Sequence, residues 1–301
     1  MTVFDITGET TADRARLSGA VLTTTQKERA VDAAEQATAR PVTATEVTVL
    51  EDRASPRTTT VPVASAYSEP DDDAERVTQV LYGTELTAFD SNGGWQRVRT
   101  PDGYVTWVER TNLTEPSTLN TDAVLLDSVE TGDGGIRYAG TDCRVLDERM
   151  PKSGPVSVRF RTGEERSLPA DSVRRLRDEV TGEDVVAAAR RYLGTEYVWG
   201  GMTDDGIDCS GLTWTAYRQN GITLPRDADM QRRMGDEVAR DELEAGDLLF
   251  FPGHVALSLG GSDFVHAYGD AGEVIIQSFD VDDDNYNEAL DKSFELATRL
   301  L

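Results

Sequence analysis

The run DCSGLTWTAYRQNG, Asp208 to Gly221, carries one of only two cysteines in a chain of 301 residues. A cysteine attacks a carbonyl as its thiolate, so it needs a helix N-terminus, an imidazole or both to lower its pKa. Cys209 falls in the first turn of the helix that this run predicts. There the unpaired backbone N–H groups and the helix dipole favour negative charge and could also hold an oxyanion. The chain has two histidines, and both follow this helix: His254 begins HVALSLGG and His266 lies in DFVHAY. A hairpin loop formed by Leu259, Gly260 and Gly261 pairs residues whose numbers sum to 520, which sets His254 directly opposite His266 at a Cβ separation of about 5 Å. One imidazole then acts as base and the other orients it. A zinc site would need more ligands than these three side chains offer, so no metal and no cofactor is expected.

The elements that must position these groups read as α+β. TGEDVVAAARRYLG predicts a helix with Thr181 as N-cap, Asp184 at the capping-box position and Gly194 closing it. The Cys209 helix follows and ends at Asn220-Gly221. GDLLFF, HVALSLGG, DFVHAY and EVIIQSF then read as antiparallel strands. Upstream, residues 46–114 break into short β-prone runs separated by turns, the spacing of a small antiparallel barrel in which Trp95 and Trp107 are core. Thr114 to Asp122 reads as a linker, and residues 120–178 as a second barrel, in which Cys143 is a buried, inert thiol. Residues 1–45 are rich in Thr and Ala, with one helix capped by Thr25 and Glu28 and Pro41 beyond its end.

Composition limits the function classes. The formal charge is −25, which argues against nucleic acid as a partner. Lys27, Lys152 and Lys292 are the only lysines among 30 basic residues. That balance reads as a surface adapted to high salt, where a Debye length of about 3 Å at 1 M screens the self-repulsion. The first residues lack a basic stretch followed by an apolar one, and no run of roughly 20 apolar residues is present, so a cytoplasmic protein with no membrane partner is expected. The oligomeric state is not legible.

Asp208-Cys209-Ser210-Gly211-Leu212, then LPRD, GDLLFFPGHVALSLG and FVHA, resemble the NlpC/P60 family of papain-like cysteine peptidases, which cleave peptidoglycan stem peptides. The likeness covers about residues 181 to 290. It implies a catalytic domain over residues 179–301, with Cys209 as nucleophile, His254 as base and His266 as its orienting partner. It also places the Tyr197 hydroxyl of YVWGG near the oxyanion site and Ser210 against the substrate. The pieces GWQRVRT and GYVTWV resemble a bacterial SH3-like domain. Two such domains ahead of an NlpC/P60 domain resemble the family's γ-D-glutamyl-L-diamino acid endopeptidases of muropeptide recycling.

That second resemblance implies a murein-derived peptide substrate whose free amine is held by Glu69, Tyr104 and Asp227, and release of L-Ala-γ-D-Glu. Two carboxylates and a phenol suit an ammonium ion. Arg226 is a candidate for a substrate carboxylate, or else an ion-pair partner within the protein. Ala228 stands where the family commonly has Ser or Thr. Two further readings remain: another γ-glutamyl amide hydrolase or thiol acyltransferase on the same fold, and a non-catalytic protein that binds wall peptides.

Overall fold

A computed structural model describes residues 3–131, 135–151, 153–176 and 179–301. Lys152 and the expected end of the second barrel at residue 178 lie outside these. Strands β1 (Phe4–Thr10) and β2 (Ala15–Val21), helix α1 (Thr24–Ala37) and strand β3 (Val42–Val49) form the first unit. β2 pairs antiparallel with β1 and parallel with β3. The helix cap differs from the expected one. Thr23, in extended conformation, takes the Gln26 N–H, and Gln26 reaches back to the Thr23 N–H, so Thr25 already lies inside the helix. The unit holds strands as well as a helix and runs past residue 45. β1 is exposed on both faces except at Ile6, so its sequence carries no apolar alternation by which a strand is read.

Seven strands follow as one sheet: β4 (Ser55–Thr59), β5 (Val63–Tyr67), β6 (Arg76–Leu81), β7 (Glu85–Asn92), β8 (Trp95–Arg99), β9 (Val105–Glu109) and β10 (Leu113–Thr114). Small and β-branched residues fill it, among them Ala64, Ala66, Val80, Ala88, Val98 and Val108. Trp107 is buried beside them. Trp95 is only half-buried, its ring edge-on to Tyr67 at 5.4 Å, so it covers the barrel rather than filling it. Leu22 and Leu50 of the first unit pack on Phe89 and Val105 of this barrel.

The next group comprises β11 (Ala123–Leu125), β12 (Val129–Glu130), β13 (Ile136–Arg137), β14 (Asp142–Val145), β15 (Pro155–Arg159), β16 (Glu165–Pro169) and β17 (Val173–Arg175). Its core includes Cys143, fully buried and reduced, whose thiol is pushed up to about 12 by burial and by Asp142 and Asp122. At that value it stays protonated and inert.

The last unit opens with α2 (Gly182–Ala189), capped by Thr181 and Asp184 in both directions. The short pair β18 (Met202–Thr203) and β19 (Gly206–Ile207) leads into α3 (Cys209–Arg218). After α4 (Ala228–Gln231) come β20 (Asp236–Val238), β21 (Ala245–Phe251), β22 (His254–Gly260), β23 (Asp263–Tyr268), β24 (Glu273–Ser278), α5 (Glu288–Ser293) and β25 (Leu296–Arg299). Their six-stranded antiparallel sheet runs β20-β25-β21-β22-β23-β24. The apolar faces of α2 and α3 close one side of it, with Val185, Leu212 and Ala216 against Leu248, Val255 and Val265. Each of these valine and leucine side chains, fully buried, is worth about 1.5–3 kcal/mol. That packing fixes the start of α3 over the start of β22. Among the described residues no helix is long and apolar enough to cross a membrane.

Candidate active site

The chain enters α3 through Asp208, whose extended backbone ends the β19 segment and whose side chain takes the Gly211 N–H at 2.7 Å. An aspartate N-cap satisfies one of the helix's orphan donors. Gly211 is required there, because a Cβ would lie 2.4 Å from the Gly201 carbonyl oxygen. Cys209 is therefore the first residue of the helix, 6 % exposed, with the backbone N–H groups of Val255 and Ser210 reaching its sulfur. Val255 is the neighbour of His254, so the thiol meets the sheet beside the expected base.

Burial, followed by the charge of Asp208, pushes the Cys209 thiol up to about 11, against the pull of those two amides and of Arg226. Burial also pushes His254 down to about 4, although Asp208 and Asp270 act the other way. At neutral pH the resting pair is thus a thiol and a neutral imidazole, not a preformed thiolate.

The hairpin that carries the histidines has a different register from the expected one. Its turn is the two residues Gly261 and Ser262, Leu259 is bulged out, and Leu257 pairs with Val265 and Ser258 with Phe264. The sum is 522, which sets His254 diagonal to His266 rather than opposite it. Contact survives because both rings lie on one face of the sheet, with His254 Nε2 2.9 Å from His266 Nδ1. Tyr268 stacks on His266 with centroids 4.8 Å apart. His266 is fully buried, and burial and the proximity of His254 push it down to about 3.

The chain continues to residues that the sequence reading missed. His266 Nε2 meets Gln277 Oε1 at 3.0 Å, and Asn287 Nδ2 donates to that same oxygen at 2.7 Å. With Oε1 an acceptor, Nε2 of His266 carries the proton and its Nδ1 accepts from His254 Nε2–H. The lone pair of His254 is then left on Nδ1. Asn287 is itself fixed as the N-cap of α5.

Tyr197 is half-buried near Cys209. Burial, then the charge that Cys209 carries once it ionises and that of Asp208, lift its phenol to about 12, so it remains a donor. Two of the expected amine-binding residues meet across the domain boundary: Tyr104 donates a hydrogen bond to Asp227, and Tyr104 is only 4 % exposed. Burial lifts the Asp227 carboxyl above the usual range, with Arg226 and the Tyr104 hydrogen bond opposing it. Glu69 is exposed in the turn after β5, and among the described residues its side chain makes no hydrogen bond or ion pair to either. The barrel carboxylate whose charge reaches Tyr104 is Glu75, at the other end of that turn, where its carbonyl takes the Ser68 N–H at 2.9 Å.

Arg226 is not free to bind a substrate carboxylate. It is 2 % exposed and each of its three nitrogens is engaged: Nη2 and Nη1 fork onto Asp208 at 2.6 and 3.0 Å, Nη1 also meets Ser210 Oγ at 2.7 Å, and Nε meets Thr78 Oγ1 at 2.9 Å. Ser210, the expected substrate contact, is held in the same cluster, its hydroxyl accepting from Arg226 and donating to Asp208 at 3.3 Å. Ala228 packs against the core beside α3.

Comparison with known proteins identifies the family and the fold. The profile of the NlpC/P60 family matches residues 194–289, and that of the bacterial dipeptidyl-peptidase Sh3 domain matches residues 66–113. Dipeptidyl-peptidase 6 of Lysinibacillus sphaericus is 32 % identical over 76 % of this chain and 93 % of its own. The chain belongs to the NlpC/P60 family. The NlpC/P60 peptidases it resembles include a gamma-D-glutamyl-L-lysine dipeptidyl-peptidase of Bacillus subtilis, 29 % identical over 63 % of this chain and 71 % of that one. A crystal structure of an NlpC/P60 family protein from Bacillus cereus shares the fold, with a TM-score of 0.66 at 22 % identity over 82 % of this chain and 100 % of that one.

Proposed function

We infer that this NlpC/P60 peptidase is a cysteine peptidase that cleaves the bond between γ-D-Glu and a diamino acid in peptidoglycan stem peptides with a free N-terminal amine. The observation that carries the chemistry is the relay from Gln277 through His266 to His254 beside a helix-capped Cys209. The Cys209 sulfur attacks the γ-glutamyl carbonyl, and its proton passes to Nδ1 of His254. The tetrahedral oxyanion is held at the start of α3, with the Tyr197 phenol as a further donor. Collapse breaks the C–N bond, and His254 returns the proton to the departing amine of the diamino acid. Water then attacks the thioester, giving L-Ala-γ-D-Glu and the free thiol.

The substrate assignment is supported by Tyr104 and Asp227. A dipeptidyl-peptidase must measure two residues from a free amine, and a carboxylate hydrogen-bonded to a phenol at the cleft wall suits an ammonium ion. Glu69 is proposed as the third group of this cage, reaching in from its turn when the amine is bound. The relatives named above act, by their names, on dipeptide units, and one of them on a γ-D-glutamyl-L-lysine bond.

Incubation in molar KCl with L-Ala-γ-D-Glu-diaminopimelate and with its L-Lys counterpart, followed by mass spectrometry, tests the assignment. Dipeptide is expected from the wild type and not from Cys209→Ala; no dipeptide from the wild type contradicts it.

A further inference from the structure

The first barrel touches the nucleophile's helix through a buried side chain that belongs to neither the thiol nor the base. Arg226 forks onto both oxygens of Asp208, the residue before Cys209 and the cap of its helix. A fork bound to one carboxylate still leaves the guanidinium free to swing about that carboxylate. The Nε contact fixes its plane, and the acceptor there is Thr78 Oγ1 on β6 of the barrel, itself 3 % exposed. β6 also packs on Gly200, which reaches the same carboxylate from a second side. The Gly200 N–H donates to Asp208 Oδ2 at 2.9 Å, and Gly200, at a φ of +70°, sits so close to β6 that a Cβ would lie 2.6 Å from the Arg76 carbonyl oxygen. Arg76 in turn donates from Nη2 to the Trp199 carbonyl at 2.7 Å.

We propose that Thr78 is a positioning residue for Cys209: by fixing Arg226, it holds Asp208 as the cap of α3 and keeps the guanidinium charge where it offsets that carboxylate beside the thiol. The barrel is then part of what makes the thiol reactive. The inference rests on the reading of Cys209 as nucleophile but not on any choice of substrate. Its electrostatic side has a definite sign: the Asp208 charge disfavours the thiolate and Arg226 favours it. An arginine released from its Nε anchor offsets less, and the thiolate becomes harder to form.

The test is the rate at which iodoacetamide alkylates Cys209 of the full chain as a function of pH, read on the Cys209 peptide by mass spectrometry, for wild type, Thr78→Val and Thr78→Ser. Valine keeps the shape and removes the acceptor; serine keeps the acceptor. Thr78→Val is expected to move the titration upward by about 0.5–1 pH unit and to slow alkylation at pH 8 roughly three- to tenfold, with Thr78→Ser within about twofold of wild type. Should Thr78→Val melt below the assay temperature, Thr78→Ala gives the same reading. A Thr78→Val profile that superimposes on wild type, or a Thr78→Ser profile displaced as far as Thr78→Val, overturns the proposal. A wild-type Cys209 that resists alkylation at every pH overturns the nucleophile reading and this proposal with it.

Discussion

Nε2 of His254 lies 2.9 Å from Nδ1 of His266, and the next contact along, His266 Nε2 to Gln277 Oε1 at 3.0 Å, decides which of those nitrogens carries the proton. The decision is relayed two rings away, where it leaves Nδ1 of His254 with a lone pair. Replacing Gln277 should therefore disturb proton transfer without disturbing binding. Gln277→Leu is expected to lower kcat about ten- to hundredfold with KM unchanged. Gln277→Glu adds a charge that favours the His266 imidazolium. That cation donates from Nδ1, reverses the relay and moves the acid limb of the pH–rate profile upward. Steady-state kinetics across pH 5 to 9 checks both.

Burial, and after it the charge of Asp208, pushes the Cys209 thiol up to about 11, while burial pushes His254 down to about 4. Between those values both groups are neutral. Alkylation by iodoacetamide should consequently rise about tenfold per pH unit from pH 6 to 9, because only the thiolate reacts. A flat rate across pH 5 to 8 would instead mean a preformed thiolate–imidazolium pair.

Both histidines also link stability to pH. Their values in the folded chain, about 4 and about 3, lie below the ordinary value of 6.5. As pH falls below about 6.5 the unfolded chain binds protons that the folded chain refuses, so stability drops toward pH 4. The slope is roughly 1.4 kcal/mol per pH unit for each histidine. Urea denaturation at pH 7, 6 and 5 should show this decline, and His266→Asn should show a shallower one.

The proposed amine-binding role of Tyr104 and Asp227 predicts changes in KM. Tyr104→Phe removes the hydrogen bond to Asp227, and Asp227→Asn removes the charge. Each should raise KM for a free-amine peptide about tenfold or more and leave cleavage of an N-acetylated peptide, expected to be a poor substrate, no worse. Glu69→Gln and Glu75→Gln, compared side by side, identify the third acidic group. A larger effect at Glu69 supports it as the arm that closes on the amine, and a larger effect at Glu75 transfers that role.

Much of the candidate site was legible because its residue types are scarce in this chain. Two histidines and one cysteine at a helix start leave few ways to build a nucleophile and its base. Register was not, because a two-residue turn with a bulged Leu259 and a three-residue loop read alike from Leu-Gly-Gly-Ser, yet they shift the pairing by two. Arg226 looked available because its sequence neighbour is Asp227, whereas its partner is Asp208, 18 positions earlier and joined to it only by the fold. Gln277 sits in EVIIQS as one polar strand residue among others, and nothing local marks it as the end of a relay. Thr78 is equally silent, since its importance comes from an arginine 148 positions away. The first-unit strand β1 escaped because, nearly bare on both faces, it has no buried pattern to imprint.

A paired digestion in molar KCl tests the cysteine chemistry and the free-amine requirement together. L-Ala-γ-D-Glu-diaminopimelate and its N-acetyl derivative are incubated with wild type and with Cys209→Ala, and products are identified by mass spectrometry. L-Ala-γ-D-Glu is expected from the free-amine peptide with wild type alone, and little or none from the acetylated peptide. Dipeptide released by Cys209→Ala, or equal cleavage of the two peptides by wild type, would contradict it.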